Sequence, residues 1–336
     1  MQKIDPITQE EWLACNEYNR EILDEFLENS PQLSEQTKKV YRSNLMIWFN
    51  YVRESVKNKP EYEIKSLDYM KFQNKLINLG HSSSDINNKR AAISSLNNYI
   101  ALFYEDDLPT FKNFIARGMP RPESQLVNKK EPPTKDEMAL LIKTMEDRGD
   151  WQKAAYLRYT FDTGCRRAES IQLLKEVVNY KPIIKEKEIF NPDGSKSTVT
   201  VKYYQSNETR CKGRGKTGKV RRLVFGEETM QAIKKWLEMR GDDDCPYVFA
   251  YRRGDNVQQI TQTTLNRWAS NVFTPILGRR FHPHILREAR ATSIVVEEGK
   301  SLEAAQKLLG HNSSDTTKIY VVRDDEDEEI DELYSI

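Results

Sequence analysis

The sequence predicts a mainly α-helical chain in two domains, the second an α+β domain with one small antiparallel sheet. Three observations predict it. Apolar residues recur at helical spacing between capping residues through most of residues 7–103. An aperiodic stretch rich in Pro, Lys and Arg, RGMPRPESQLVNKKEPP at 117–133, then breaks the pattern. Beyond it, helical spacing returns but is interrupted between 183 and 225 by alternating, β-branched sequence.

Taken in order, residues 7–29 read as a helix with Trp12, Ile22 and Phe26 among its apolar positions. Ser34 precedes a second, where Thr37, Tyr41, Leu45, Trp48 and Phe49 repeat at helical spacing to about 56. Lys38, Lys39 and Arg42 fall on its other face, whereas Trp48 and Phe49 are expected in the core. Ser66 caps a helix through Leu79, stopped by Gly80. Ser82 to Ser84 cap a longer one to Phe103, with Lys89 and Arg90 near its start. A short fifth helix is expected at 108–116. Residues 1–116 thus read as a helical bundle, 117–133 as a linker, 134–323 as the second domain and 324–336 as an acidic tail.

Thr134 and Glu137 form a capping box for a helix to about Arg148. Further helices are expected from Asp150 to Thr163, from near Arg166, and at 226–240, 261–275, 285–298, 302–309 and 314–322. Strands at 183–190, 197–204 and 219–225, with a turn at 191–194, are expected to form the sheet.

With 336 residues, 38% hydrophobic and 31% charged, the chain can fill two ordinary cores under a polar surface. No apolar run has membrane-spanning length, and the first residues lack an apolar secretion signal. The four cysteines make no C-x-x-C pair, so neither a zinc site nor a disulfide framework is expected, and the cytoplasm is the expected location. The net charge of +1 conceals a segregation. Residues 129–323 hold 36 Lys and Arg against 25 Asp and Glu, a net +11, while 324–336 hold 8 acids and no base. A basic block of this kind fits a polyphosphate partner.

The candidate chemistry lies in that block. Holding and attacking a phosphodiester needs donors for the non-bridging oxygens, a nucleophile with a base, and a proton for the leaving oxygen. Arginine's planar fork suits the first task, and Arg166 in TGCRRAE and Arg287 in HILR are the candidates. Tyr320 in HNSSDTTKIY is the candidate nucleophile. A phenol of pKa about 10 is ionised only about once in a thousand at neutral pH, so it needs a base or a positive field. His284 can serve as base, His311 can donate to a phosphate oxygen, and Lys216 in KGRGKTGK can protonate the 5′ oxygen. Lys212 and Lys219 are rivals to Lys216, and His282 to His284. Glu169 reads as structural, holding the Arg166 helix. The turn lacks P-loop spacing and no acidic metal cluster stands out, so no metal, ATP or other cofactor is expected.

These motifs resemble the tyrosine recombinases of the phage integrase family. TGCRRAE at 163–169 matches T-G-x-R-x-x-E, HILR at 284–287 matches H-x-x-R, and LGH at 309–311 is followed nine residues on by Tyr320. KTGK at 216–219 is similar to the family's hairpin lysine, and LSEQTKKVYRSNLMIWF to the opening helix of its core-binding domain. The resemblance implies that Tyr320 attacks to give a 3′-phosphotyrosine, with Arg166, Arg287, His284 and His311 around the phosphate and Lys216 as general acid. It implies a C-shaped clamp on double-stranded DNA, a tetramer on two DNA segments, a monomer without DNA, and room for accessory DNA-bending factors. In the bundle, Lys38, Lys39, Arg42, Lys89 and Arg90 are candidates for phosphate contact. Glu288 departs from the family pattern, and 185–211 reads as an insertion. The other readings weighed are a DNA-binding protein of the same fold that no longer cuts and a nicking enzyme of topoisomerase type.

Overall fold

A computed structural model of the chain describes residues 7–115, 118–123, 131–190, 195–211 and 219–310. The chain divides into two compact units near residue 130. Both are mainly helical, and the antiparallel strands lie in the second.

The first unit contains α1 (Gln9–Leu13), α2 (Glu17–Glu28), α3 (Glu35–Ser55), α4 (Ser66–Asn78) and α5 (Ser83–Phe103). Ser34 and Ser82 cap α3 and α5 by accepting from the backbone N–H three residues on. Trp48 and Phe49 are fully buried with Leu45, Phe72, Ile93 and Leu96 in one core. Two expectations fail here, for one reason. The helix read at 7–29 breaks at Ala14–Asn16, because Asn58 accepts from Asn16 N at 2.8 Å and donates to the Ala14 carbonyl at 3.1 Å. In place of the short helix at 108–116, residues 108–115 form a turn and a bend with no helix. Asn113 accepts from Ile115 N at 2.9 Å and donates to Ser94 O at 3.1 Å, holding the chain open. Asparagine side chains thus replace intrahelical bonds in both places.

The second unit opens with α6 (Lys135–Asp147), whose capping box is Thr134 with Glu137, then α7 (Trp151–Thr163) and α8 (Arg167–Ser170). Seven residues of α7 are buried, including Ala154, Ala155, Leu157 and Tyr159, so it is the central helix. Strands β1 (Ile183–Phe190) and β2 (Lys196–Gln205) pair antiparallel from Ile183↔Tyr203 to Phe190↔Lys196. The expected strand at 219–225 is two strands. β4 (Lys219–Arg221) pairs with β3 (Thr209–Cys211), and β5 (Val224–Phe225) pairs with β2. Arg222 and Leu223 part them where Leu223 N donates to the buried Ser206 hydroxyl at 2.9 Å. After α9 (Glu227–Arg240), a hairpin of β6 (Ala250–Arg253) and β7 (Asn256–Gln259) turns at Gly254, whose φ is +60°. Then come α10 (Gln262–Trp268), a π-helical turn, α11 (Thr274–Leu277), α12 (Ile285–Thr292), a second π turn and α13 (Leu302–Leu309), capped by Ser301. No helix among the described residues is long and apolar enough to cross a membrane. The helix expected at 314–322 lies outside the described residues.

Candidate active site

The site is built around the end of α7. Gly164 ends that helix in the left-handed region (φ +57°), and a Cβ there would stand 2.4 Å from Leu309 Cδ2. Only glycine meets both conditions, and the reversal sets Arg166 at the start of α8. The backbone N–H and the Nη1 of Arg166 donate to the two carboxylate oxygens of Glu169, at 3.0 and 2.9 Å. Arg221, on β4, donates to the same carboxylate through Nη2 at 3.2 Å. Burial pushes the Glu169 carboxyl up, but the Arg166 N–H, the Arg166 guanidinium and the charge of Arg221 outweigh it and hold it below the usual range. Glu169 is therefore an ionised, buried anchor for two arginines.

Arg287 stands on the first turn of α12, with no exposed surface. Its Nη1 donates to the Gly164 carbonyl at 2.6 Å and its Nη2 to the Leu309 carbonyl at 2.7 Å. One guanidinium thus satisfies the ends of α7 and α13, where the helix dipoles favour a cation. His284 sits three residues earlier, at the N-cap of α12, and is half-buried. Burial pushes its imidazole below the ordinary value. Glu288 opposes this, while the charges of Arg287, His282 and Arg166 reinforce it. A neutral imidazole, ready to accept a proton, is the result at neutral pH. Glu288, which departs from the family pattern, is buried and within electrostatic reach of His284.

Arg166, at the start of α8, and His284 with Arg287, at the start of α12, are thus brought to one place from two distant segments. Lys216, His311 and Tyr320 lie outside the described residues, as does the acidic tail. α13 nevertheless ends two residues before His311, at Leu309, the residue held by Arg287. The reading of the sequence missed Arg221. Its Nε donates to Cys211 Sγ at 3.2 Å and its Nη1 to the Leu308 carbonyl at 2.8 Å, so it joins the β3–β4 hairpin to the end of α13. Alternation through the strand expected at 219–225 sets Arg221 on the face opposite the largely exposed Arg222, and that was the available signal.

The basic residues expected to meet phosphates in the first unit differ from one another. Lys39 is exposed, Lys38 is half-buried near Glu35 at 3.8 Å, and Arg42 is exposed but paired with Asp24 at 2.6 Å. Lys89 and Arg90 lie on no exposed face. Lys89 is buried on Asp85 at 2.7 Å, and Arg90 is buried with its fork on the carbonyls of Pro120 (3.2 Å) and Met119 (3.4 Å).

Comparison with known proteins agrees with this arrangement. Residues 133–327 match the phage integrase family. The SPbeta prophage-derived recombinase-like protein YomM of Bacillus subtilis (strain 168) is 31% identical over 331 residues, 97% of this chain and 94% of that one. A tyrosine recombinase of Thermosipho africanus (strain TCF52B) is 23% identical over 310 residues, 90% of this chain and 93% of its own. Among solved structures, XerH site-specific recombinase bound to a palindromic difH substrate superposes with a TM-score of 0.64 at 17% identity, covering 93% of this chain and 84% of that one. The Tn1549 transposon integrase in complex with transposon right-end DNA gives 0.63 at 16% identity, covering 94% and 99%. These two show the shared fold. The family match over more than half the chain, with a relative alike along nearly its full length, establishes that the chain belongs to the phage integrase family, the tyrosine recombinases.

Proposed function

We propose that the protein is a site-specific DNA recombinase of a mobile element, cutting and rejoining duplex DNA through a 3′-phosphotyrosyl intermediate on Tyr320. In the cutting step the Tyr320 oxygen bonds to phosphorus and its proton passes to His284. The bond from phosphorus to the 5′ oxygen breaks, and that oxygen takes a proton from Lys216. Attack by a 5′ hydroxyl on the phosphotyrosine reverses each transfer and reseals the strand. The ester conserves the bond energy, so the exchange itself needs no ATP. Arg166 and Arg287 would bind the non-bridging oxygens, with His311 as a further donor.

The observation that supports this most is the convergence of Arg166, His284 and Arg287 on the turn that ends α7. Each Nη group of Arg287 gives one hydrogen to a carbonyl, two of the five N–H bonds that a guanidinium carries, so a phosphate oxygen bound there would sit beside the segment that leads to His311 and Tyr320. Full-length similarity to a prophage-derived recombinase-like protein supports the mobile-element setting. Structural neighbours solved with DNA support a DNA partner, and synapsis of two sites in a tetramer is part of the proposal.

The test is trapping. A nicked duplex carrying the element's attachment site should yield a covalent protein–DNA adduct, and Tyr320→Phe should abolish the adduct while duplex binding persists. The engagement of Arg287 by backbone favours a second reading, a DNA-binding protein of this fold that does not cut. Binding by the parent chain with no adduct at any attachment site would establish that reading instead.

A further inference from the structure

Among the described residues, the β1–β2 ribbon pairs with another strand only at its base, where β2 meets β5. Its eight paired positions rise about 3.3 Å each, so it reaches roughly 25 Å from its base. That base is fixed. Tyr204 is buried and pairs with Phe225, its hydroxyl donates to Glu227 Oε2 at 2.8 Å, and Lys202 meets Glu227 at 2.6 Å. Beyond it, residues 184–188 and 198–202 are all exposed. A two-stranded ribbon exposed on both faces among the described residues is marginal by itself, which leaves its faces open to a partner.

The register sorts its charges by face. Lys185 pairs with Val201 and Lys187 with Val199, so these four share one face, which carries two cations and no acid over those positions. Neither lysine has an ion pair among the described residues. Glu186 pairs with Thr200 and Glu188 with Thr198 on the opposite face, where Lys196 meets Glu188 at 3.2 Å. One face is thus cationic with a β-branched floor, and the other is internally compensated.

We propose that this ribbon is a DNA-contacting arm, laying its Lys185/Lys187 face on the phosphates that border a groove of duplex DNA. The inference rests on the recombinase reading above. The major groove, about 12 Å wide, admits a two-stranded ribbon, and valine suits contact with a thymine methyl. A second copy of the chain is the lesser fit. β1 is the free edge of its sheet, and its run Lys185, Glu186, Lys187, Glu188 is the alternation of charge that discourages strand addition.

The experiment measures binding of the full chain to a 40-base-pair duplex of random sequence against salt concentration. For the parent, log affinity should fall linearly with log salt. Lys185→Ala/Lys187→Ala should flatten that slope by about 1.8, roughly 0.9 for each phosphate left unneutralised. Lys185→Arg/Lys187→Arg should restore it, and Glu186→Ala/Glu188→Ala should leave it no shallower. These side chains are exposed, so the melting temperature should not move. An unchanged slope in the lysine-to-alanine variant overturns the arm. If that variant instead loses self-association in sedimentation at unchanged slope, the ribbon is a protomer contact and the proposal fails. A parent chain with no salt dependence at all would remove the recombinase reading itself, a distinguishable result.

Discussion

Glu61 is a carboxyl with no exposed surface in the core of the first unit. It is wholly buried, Trp48 Nε1 donates to its Oε2 at 2.9 Å, and its Oε1 has no partner. Burial, partly offset by that Trp48 bond, pushes its pKa up from 4.5 to about 8. The folded state therefore keeps a proton that the unfolded chain gives up near pH 4.5. Between those values the native state binds more protons, so stability falls as pH rises from about 4.5 to about 8 and then levels off. Glutamine keeps an acceptor for Trp48 and cannot ionise. Glu61→Gln should thus match the parent at pH 5 and exceed it by at least about 1 kcal/mol at pH 8, read as a melting difference that widens with pH. A difference constant across that range would mean that Glu61 does not titrate there.

Elements whose start is written in adjacent residues were legible. Ser34, Ser82, Thr134 and Ser301 each accept from the N–H three residues on, a local bond that needs no knowledge of the fold. What escaped reading was set from afar. Asn58 breaks α1 from α2 across 42 residues, and Ser206 divides β4 from β5. The hairpin of β6 and β7 was passed over although Gly254 and Asp255 mark its turn. Within the site, Arg166, His284 and Arg287 were legible because each stands in a motif, whereas Arg221 acts through partners 10, 52 and 87 residues away. Gly164 tests how tightly α7 and α13 are joined. Gly164→Ala combines a left-handed φ with a Cβ 2.4 Å from the fully buried Leu309. It should destabilise by about 2–4 kcal/mol, a loss of several degrees in melting temperature, and lower adduct yield more than DNA binding. Gly254→Ala isolates the strain, since φ is +60° there but nothing lies within 4 Å. It should cost about 1 kcal/mol and leave adduct formation intact. Equal losses in both variants would mean that the Leu309 side chain gives way freely.

At the scale of the whole chain, a segment of net +11 is followed directly by a tail of net −8. Removing residues 324–336 changes the formal charge from +1 to +9. Two roles make opposite demands on that tail. If it lies on the basic block without DNA, it competes with phosphates, and its removal must strengthen binding. If it docks on a neighbouring protomer, single-site binding is untouched and only assembly of two sites is lost. Ile330, Leu333 and Tyr334 favour docking, because their near-helical spacing gives the acidic segment an apolar face that a competitor for phosphate sites would not need. At about 0.15 M salt the screening length is about 8 Å, so a tail that is not seated on the basic surface has little pull on bound DNA. The chain lacking 324–336 should therefore bind one attachment-site duplex at parental affinity under those conditions and fail to bring two together in a gel-shift or sedimentation assay. Affinity raised several-fold, with pairing retained, would assign the tail to restraint. Unchanged binding together with unchanged pairing would dismiss both roles.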